Sequence, residues 1–180
     1  MSQTHTTPTG NSHSHQPMGA AAAAAGVAQY LTFVCGGEEY GVDILRVQEI
    51  KGWEQVTRVP YAPNYVLGVM NLRGMIVPVI DLRRRLNLAK REFDASTVGI
   101  VLRVQTSRGE KTMGIVVDAV SEVYNVAIDG IKPVPEMGTV VDGSCVKGIA
   151  TVEGKMVMLL DVTALVAECV EADGSRSLNG

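Results

Sequence analysis

Two stretches of this sequence repeat each other without a gap, and that repeat constrains the fold more than any other feature. Gly68-Val-Met-Asn-Leu-Arg-Gly74-Met-Ile-Val-Pro-Val-Ile-Asp81-Leu82 aligns on Gly148-Ile-Ala-Thr-Val-Glu-Gly154-Lys-Met-Val-Met-Leu-Leu-Asp161-Val162, with both glycines, Val77/Val157 and the closing aspartates in register. Earlier in each half, Tyr40–Ile50 aligns on Met113–Val123, so that Gly41/Gly114, Val47/Val120 and Glu49/Glu122 coincide. The matches occur in the same order, so one unit of roughly 60–70 residues occurs twice.

The unit is built of short Val- and Ile-rich runs broken by Gly, Asn and Pro, the pattern of strands and turns. Tyr30–Cys35 and Tyr40–Ile44 flank a first hairpin, and Val66–Leu72 and Met75–Asp81 a second. Val98–Gln105 with Lys111–Val117, and Val146–Val152 with Lys155–Leu160, give two more. Asp81 can cap a short helix over Leu82–Leu86 and Asp161 one over Thr163–Glu168, each carboxylate accepting free backbone N–H groups of the first turn. About five strands per copy suit a small closed barrel, and closure removes the exposed edges that invite aggregation. Pro78, which has no N–H to donate, fits an edge or a bulge. The expected fold is mainly β: two five-stranded barrels side by side, with short helices.

Residues 1–28 carry little to bury beyond alanine and read as a disordered tail; 29–167 form the folded part and 168–180 a flexible C-terminal tail. The first barrel is expected over about 36–92 and the second over about 97–160, with terminal segments crossing between them. The first basic residue is Arg46 and the Ala20–Ala25 run is far too short to cross a bilayer, so neither a secretory signal nor membrane insertion is expected. The expected location is the cytoplasm. Cys35, Cys145 and Cys169 have no metal or redox spacing and read as small apolar residues.

Chemistry is scarce. All three histidines (His5, His13, His15) lie in the tail, which removes the commonest general base from the folded part. The repeated aspartates are better used as helix caps than as a catalytic pair. No glycine-rich turn with a following lysine opens a long helix, so a phosphate loop is excluded. We expect no enzyme, no cofactor and no metal site. A net charge of -3 and 4% aromatic residues offer nucleic acid neither attraction nor stacking surface. Arg83-Arg84-Arg85 with Lys90-Arg91 forms a local basic cluster, read as a solvated helix face, with an anionic contact as the alternative. Binding remains, in a groove between barrels. At the tip of the repeated hairpin the copies differ, with Arg73 in the first and Glu153 in the second, and arginine's forked donors suit a polar interface.

Three strings, Glu39–Ile50, Thr57-Arg-Val-Pro60 and Gly68–Leu82 with its Asn-Leu-Arg-Gly turn, resemble the CheW family of chemotaxis coupling proteins. Gly114-Ile-Val-Val-Asp118, Ile131-Lys-Pro133 and Gly148–Asp161 extend the resemblance over about residues 30–167. It implies two SH3-like barrels and an adaptor that couples the cytoplasmic tips of chemoreceptors to the histidine kinase CheA through the kinase's C-terminal regulatory domain, itself similar to CheW. The receptor surface it implies comprises Glu49, Gly68, Arg73, Val98, Gly114 and Val120, with Arg73 bonding receptor polar groups and Glu49 orienting it. Leu31, Val42 and Leu45 match the kinase-binding patch, and Met137 stands where the family has a loop aromatic in a ring-closing contact. A coupler of a related motility pathway, a small-molecule sensor using the groove and a nucleic-acid-binding barrel are the competing readings.

Overall fold

The computed structural model describes residues 26–135 and 143–171, so Met137, the alanine run and the three histidines lie outside the described residues. The strands are β1 (Val27–Cys35), β2 (Glu38–Asp43), β3 (Val47–Gly52), β4 (Val66–Leu72), β5 (Met75–Asp81), β6 (Val98–Thr106), β7 (Gly109–Val117), β8 (Ala119–Ala127), β9 (Val146–Val152) and β10 (Lys155–Leu160). Helix α1 (Leu82–Arg85) follows β5 and α2 (Val162–Glu171) follows β10. All four expected hairpins are present. The sequence reading did not delimit β3 and β8, and β1 begins at Val27, where its backbone pairs with Ala127.

Both aspartate caps form. Asp81 accepts from the N–H groups of Arg83 (3.0 Å) and Arg84 (3.4 Å), and Asp161 from those of Thr163 (2.9 Å) and Ala164 (3.1 Å). The β4–β5 and β9–β10 turns both place their two central residues in the left-handed region, Arg73 and Gly74 at φ 51° and 88°, Glu153 and Gly154 at 50° and 77°. That turn matches the right-handed twist of the strands it joins.

The strands form two five-stranded sheets in the orders β8-β1-β2-β10-β9 and β3-β6-β7-β5-β4. Neither sheet belongs to one copy of the repeat. Hairpin β1–β2 of the first copy is inserted between β8 and β10 of the second, and hairpin β6–β7 of the second between β3 and β5 of the first. The spans about 36–92 and 97–160 are corrected accordingly: β2 lies in the first yet pairs in the sheet of β8–β10, while β6 and β7 lie in the second yet pair with β3–β5. Local sequence pattern fixes which residues form a strand, but not which neighbour completes it. Each insertion makes one antiparallel and one parallel seam, and the parallel seams, Tyr40 and Gly41 on Met158 and Leu159, and Gly114–Val116 on Val79–Asp81, are short. Parallel pairing in β5 starts directly after Pro78, whose missing N–H therefore costs no ladder bond.

The largest apolar cluster lies between the sheets. Leu31, Phe33, Tyr40 and Val42 from one sheet meet Ile80, Ile100, Leu102 and Ile115 from the other, and Leu165 and Val166 of α2 join them. Each barrel holds a smaller core of its own: Tyr30, Val126, Ala150, Val157 and Leu159 in one, Leu72, Val77 and Val101 in the other. Truncating a fully buried member of the shared cluster such as Phe33 to alanine removes contacts to both sheets, a loss of about 3–5 kcal/mol.

The basic cluster on α1 corrects the expectation of a solvated face. Arg83 is buried; its Nε donates to Asp118 Oδ1 (2.6 Å), its Nη2 to Asp118 Oδ2, and its Nη1 to the carbonyl of Ala89 (2.8 Å). Asp118 also accepts from the N–H of Gly36 (2.9 Å) in the β1–β2 turn. Arg85 is buried too, donating to the carbonyl of Leu165 (3.1 Å) and lying over the Tyr65 ring. These arginines tie the first copy to the second, so their partners are carboxylate and carbonyl groups rather than water.

Burial opposes the charge of Asp118, but the hydrogen bonds from Arg83 and the Gly36 N–H outweigh it and hold the carboxyl below its usual range. A carboxylate depressed in the folded state stabilises fully above its unfolded pKa, near ~3.9, and ceases to stabilise as pH falls through the folded value. Asp118→Asn should therefore cost about 3 kcal/mol near neutral pH, and its deficit against the parent chain should close at pH values well below ~3.9. Thermal melts across that range check this; a deficit that persists undiminished in acid contradicts it.

Candidate functional site

The receptor-surface residues implied by the resemblance fall into three structural groups. Glu49, Gly114 and Gly68 lie on one straight row across the β3-β6-β7-β5-β4 sheet, in register through Val101 and Val79: Glu49 opposite Val101, Val101 opposite Gly114, Gly114 opposite Val79, Val79 opposite Gly68. Val101 belongs to the barrel's own core, so this row faces the barrel interior. A Cβ on Gly114 would stand 3.3 Å from Val79 Cγ2 and 3.6 Å from Met70 Cε, which makes its glycine a matter of close packing.

Gly68 is more stringent. A Cβ there would lie 2.2 Å from the carbonyl oxygen of Thr57, because the loop after β3 bridges to β4 through mutual hydrogen bonds of Thr57 and Val69 (2.9 and 2.8 Å). The second copy repeats this arrangement. Lys132 and Ile149 exchange backbone hydrogen bonds of 2.8 Å, and a Cβ on Gly148 would meet the Lys132 carbonyl at 2.8 Å. These bridges draw opposite edges of each sheet together and close the barrels. The signal was present in the sequence: Thr57-Arg-Val-Pro60 and Lys132-Pro-Val-Pro135 share their Val-Pro ending, a third repeated segment the first alignment did not include.

The second group is a polar pair on the closing seam. Arg73, at the β4–β5 tip with its side chain 79% exposed, places Nη2 3.2 Å from Oε2 of Glu49 on β3, whose side chain is 25% exposed. Glu49 Oε2 is itself shielded from solvent and makes no hydrogen bond of good geometry, so the pair is a charge contact. In the second copy the same seam joins Glu153 to Tyr124, whose hydroxyl donates to Glu153 Oε2 (3.3 Å). One seam thus ends in a protruding guanidinium and the other in a carboxylate.

Val98 and Val120 make the third group, partly buried at the margin of the cluster between the sheets. They pair with Val117 and Phe33 respectively, one from each sheet, at the line where the barrels meet.

The kinase patch needs correction. Leu31 and Val42 are opposite one another in β1 and β2 and are buried in the shared cluster, 3% and 0% exposed, so neither can offer a surface. Strand alternation sets Leu31 beside Phe33 on the inward face. Leu45 alone of the three is at the surface, 81% exposed on the 3₁₀ turn Ile44–Arg46 that carries the chain from one sheet to the other. Its position in the second copy is Asp118, the half-buried carboxylate paired with Arg83. Sequence reasoning missed Asp118 and Arg83; a lone acid within Gly-Ile-Val-Val-Asp-Ala-Val was the available clue.

A cleft of about 390 Å³ opens where β5 and β7 splay apart, lined by Met75, Ile76, Arg108, Lys111 and Val166 among others, and includes none of these site residues. Among the described residues no group of three or more His, Cys, Asp or Glu could hold a metal ion, and no helix is long and apolar enough to cross a membrane.

Two interlocked five-stranded barrels, closed by matched glycine bridges and displaying different seam residues, define a doubled-barrel module. A family model described as CheW-like domain matches residues 29–170, and the chain belongs to that family. It is similar to chemotaxis protein CheW of Klebsiella aerogenes, 41% identical over 139 residues, covering 77% of this chain and 81% of that protein. Chemotaxis protein CheW of Bacillus subtilis is 32% identical, with 76% and 85% covered. The crystal structure of scaffolding protein TtCheW from Thermoanaerobacter tengcongensis superposes with a TM-score of 0.70 at 31% identity, covering 87% of this chain and 93% of that one.

The glycine bridges make a direct test. Gly68→Ala and Gly148→Ala should each lower stability by about 2–4 kcal/mol, since backbone must move, whereas Gly52→Ala, with nothing within 4 Å of the added carbon, should change it by less than about 1 kcal/mol. Urea midpoints decide; equal effects at Gly68 and Gly52 refute the closing role.

Proposed function

We propose that this chain is a chemotaxis adaptor that couples the cytoplasmic tips of chemoreceptors to the histidine kinase CheA, so that receptor state sets kinase activity. It acts without catalysis and without a cofactor, in the cytoplasm, and reaches membrane-associated receptor arrays through its partners. Family membership supports the scaffold role, and the Arg73–Glu49 seam is the single observation that carries the receptor contact. An arginine 79% exposed on a tight turn has one terminal guanidinium nitrogen held by a shielded carboxylate. Arginine held that way presents its remaining donors outward, with little further entropy to lose when it meets carboxylate or carbonyl groups. Val98 and Val120 supply apolar surface beside it, while Gly68 and Gly114 act indirectly, through the barrel that positions the seam.

Leu45 carries the kinase contact. An apolar side chain 81% exposed on a tight turn gains most from being covered by a partner. A ring-closing contact through Met137 belongs to the same proposal.

Arg73→Ala should weaken receptor-tip binding by about tenfold, the scale of one charge-assisted contact, while the circular dichroism spectrum stays that of the parent. Isothermal titration against a receptor hairpin measures it, and unchanged affinity rejects the assignment. Leu45→Asp should abolish co-elution with the kinase's regulatory domain on gel filtration and spare receptor binding. Retained co-elution moves the kinase surface elsewhere.

A further inference from the structure

Neither copy of the repeat can complete a sheet by itself. Without β6–β7, strands β3 and β5 have no neighbour between them, and without β1–β2 the same holds for β8 and β10. Every seam between hairpin and host sheet joins one copy to the other, as do the shared apolar cluster, the Arg83–Asp118 ion pair and the hydrogen bond from Arg85 to Leu165. The copies are joined covalently only through the segment between α1 and β6. Leu86 and Leu88 at its start pack on the shared cluster, while further along Phe93 lies against Trp53 of the first copy (4.8 Å between ring centroids) and the backbone N–H of Trp53 donates to the carbonyl of Thr97 (3.1 Å).

Any first copy therefore fits any second copy, whichever chain supplies it. We propose that two molecules of this chain interlock by exchanging whole repeat units, the first copy of each closing on the second copy of the other, with residues 89–96 as the hinge. The closed monomer and the exchanged dimer share all the seams, the shared cluster and the Arg83–Asp118 pair; they differ in the path of the hinge and in the contacts the hinge residues make, among them Arg91 with Asp94 and Phe93 with Trp53. The balance between them is then set by effective concentration, about millimolar for a short connection, so the monomer prevails in dilute solution and the dimer gains as chains fold in a crowd. This inference goes beyond the adaptor reading and does not depend on it.

The buried ion pair supplies the test in full-length chains. Arg83→Glu and Asp118→Lys each leave a like-charged pair between the copies, so each variant alone should refold poorly both as a monomer and as its own exchanged dimer. Refolded together, an exchanged dimer of one chain of each kind contains one native Arg83–Asp118 pair and one reversed pair. With a different affinity tag on each chain, tandem capture should recover mixed dimer at about ten times or more the self-paired level of either variant. As a second arm, differently tagged parent chains are unfolded together and refolded at about millimolar concentration, then diluted. Mixed dimer should persist, because release requires unfolding, and should be missing when refolding is done dilute. Absence of mixed dimer from both arms overturns the proposal, and so does a mixed dimer that dissolves at once on dilution and fails to rescue the charge variants, which marks a surface contact between closed monomers. If either variant refolds alone as well as the parent, the parent arm decides.

Discussion

The rest of the structure depends on one constraint: each sheet is missing its middle until a hairpin from the other copy fills it. An inserted hairpin forms backbone bonds on both sides, so the backbone polar groups along its seams are satisfied only in the interlocked state. The same insertion brings the apolar faces of β1, β2, β6 and β7 against one another, which is why the principal core lies between the barrels and each barrel's own core is small. Folding is consequently cooperative across the whole described region rather than barrel by barrel.

That rigidity explains how a fold made of two like units can present unlike surfaces. The glycine bridges at Gly68 and Gly148 and the caps at Asp81 and Asp161 are the same in both copies because closure and helix initiation ask the same thing of each. The hairpin tips face no such demand beyond their left-handed backbone, and there Arg73 pairs with Glu49 while Glu153 accepts from Tyr124. A partner that seeks a guanidinium finds it on one barrel alone.

Much of this was legible in the sequence. The repeat, four hairpins and both caps follow from strict local chemistry: alternation, paired glycines, and an aspartate before an apolar turn. The exchange of hairpins was not legible, since strand order in space leaves no mark on the alternation of Tyr40–Asp43 or Met113–Val116. For the same reason Leu31 and Val42 could be taken as surface residues, although both are at the centre of the shared core. The arginines of α1 misled in the opposite direction. Three consecutive basic residues suggest a wet face, yet a helix of four residues beside a sheet crossing turns Arg83 and Arg85 inward to carboxylate and carbonyl partners. The pairing of Arg73 with Glu49 joins residues far apart in sequence, and only the closure of β3 on the β4–β5 hairpin brings them together.

The two crossings between sheets are equivalent in position and opposite in character. One presents Leu45 to solvent; the other hides Asp118 under Arg83. Two identical units would show the same apolar residue at both crossings. With one crossing sealed by an ion pair, a single exposed leucine is left at this pair of positions. The doubled fold thereby has a front and a back although its two halves descend from one pattern.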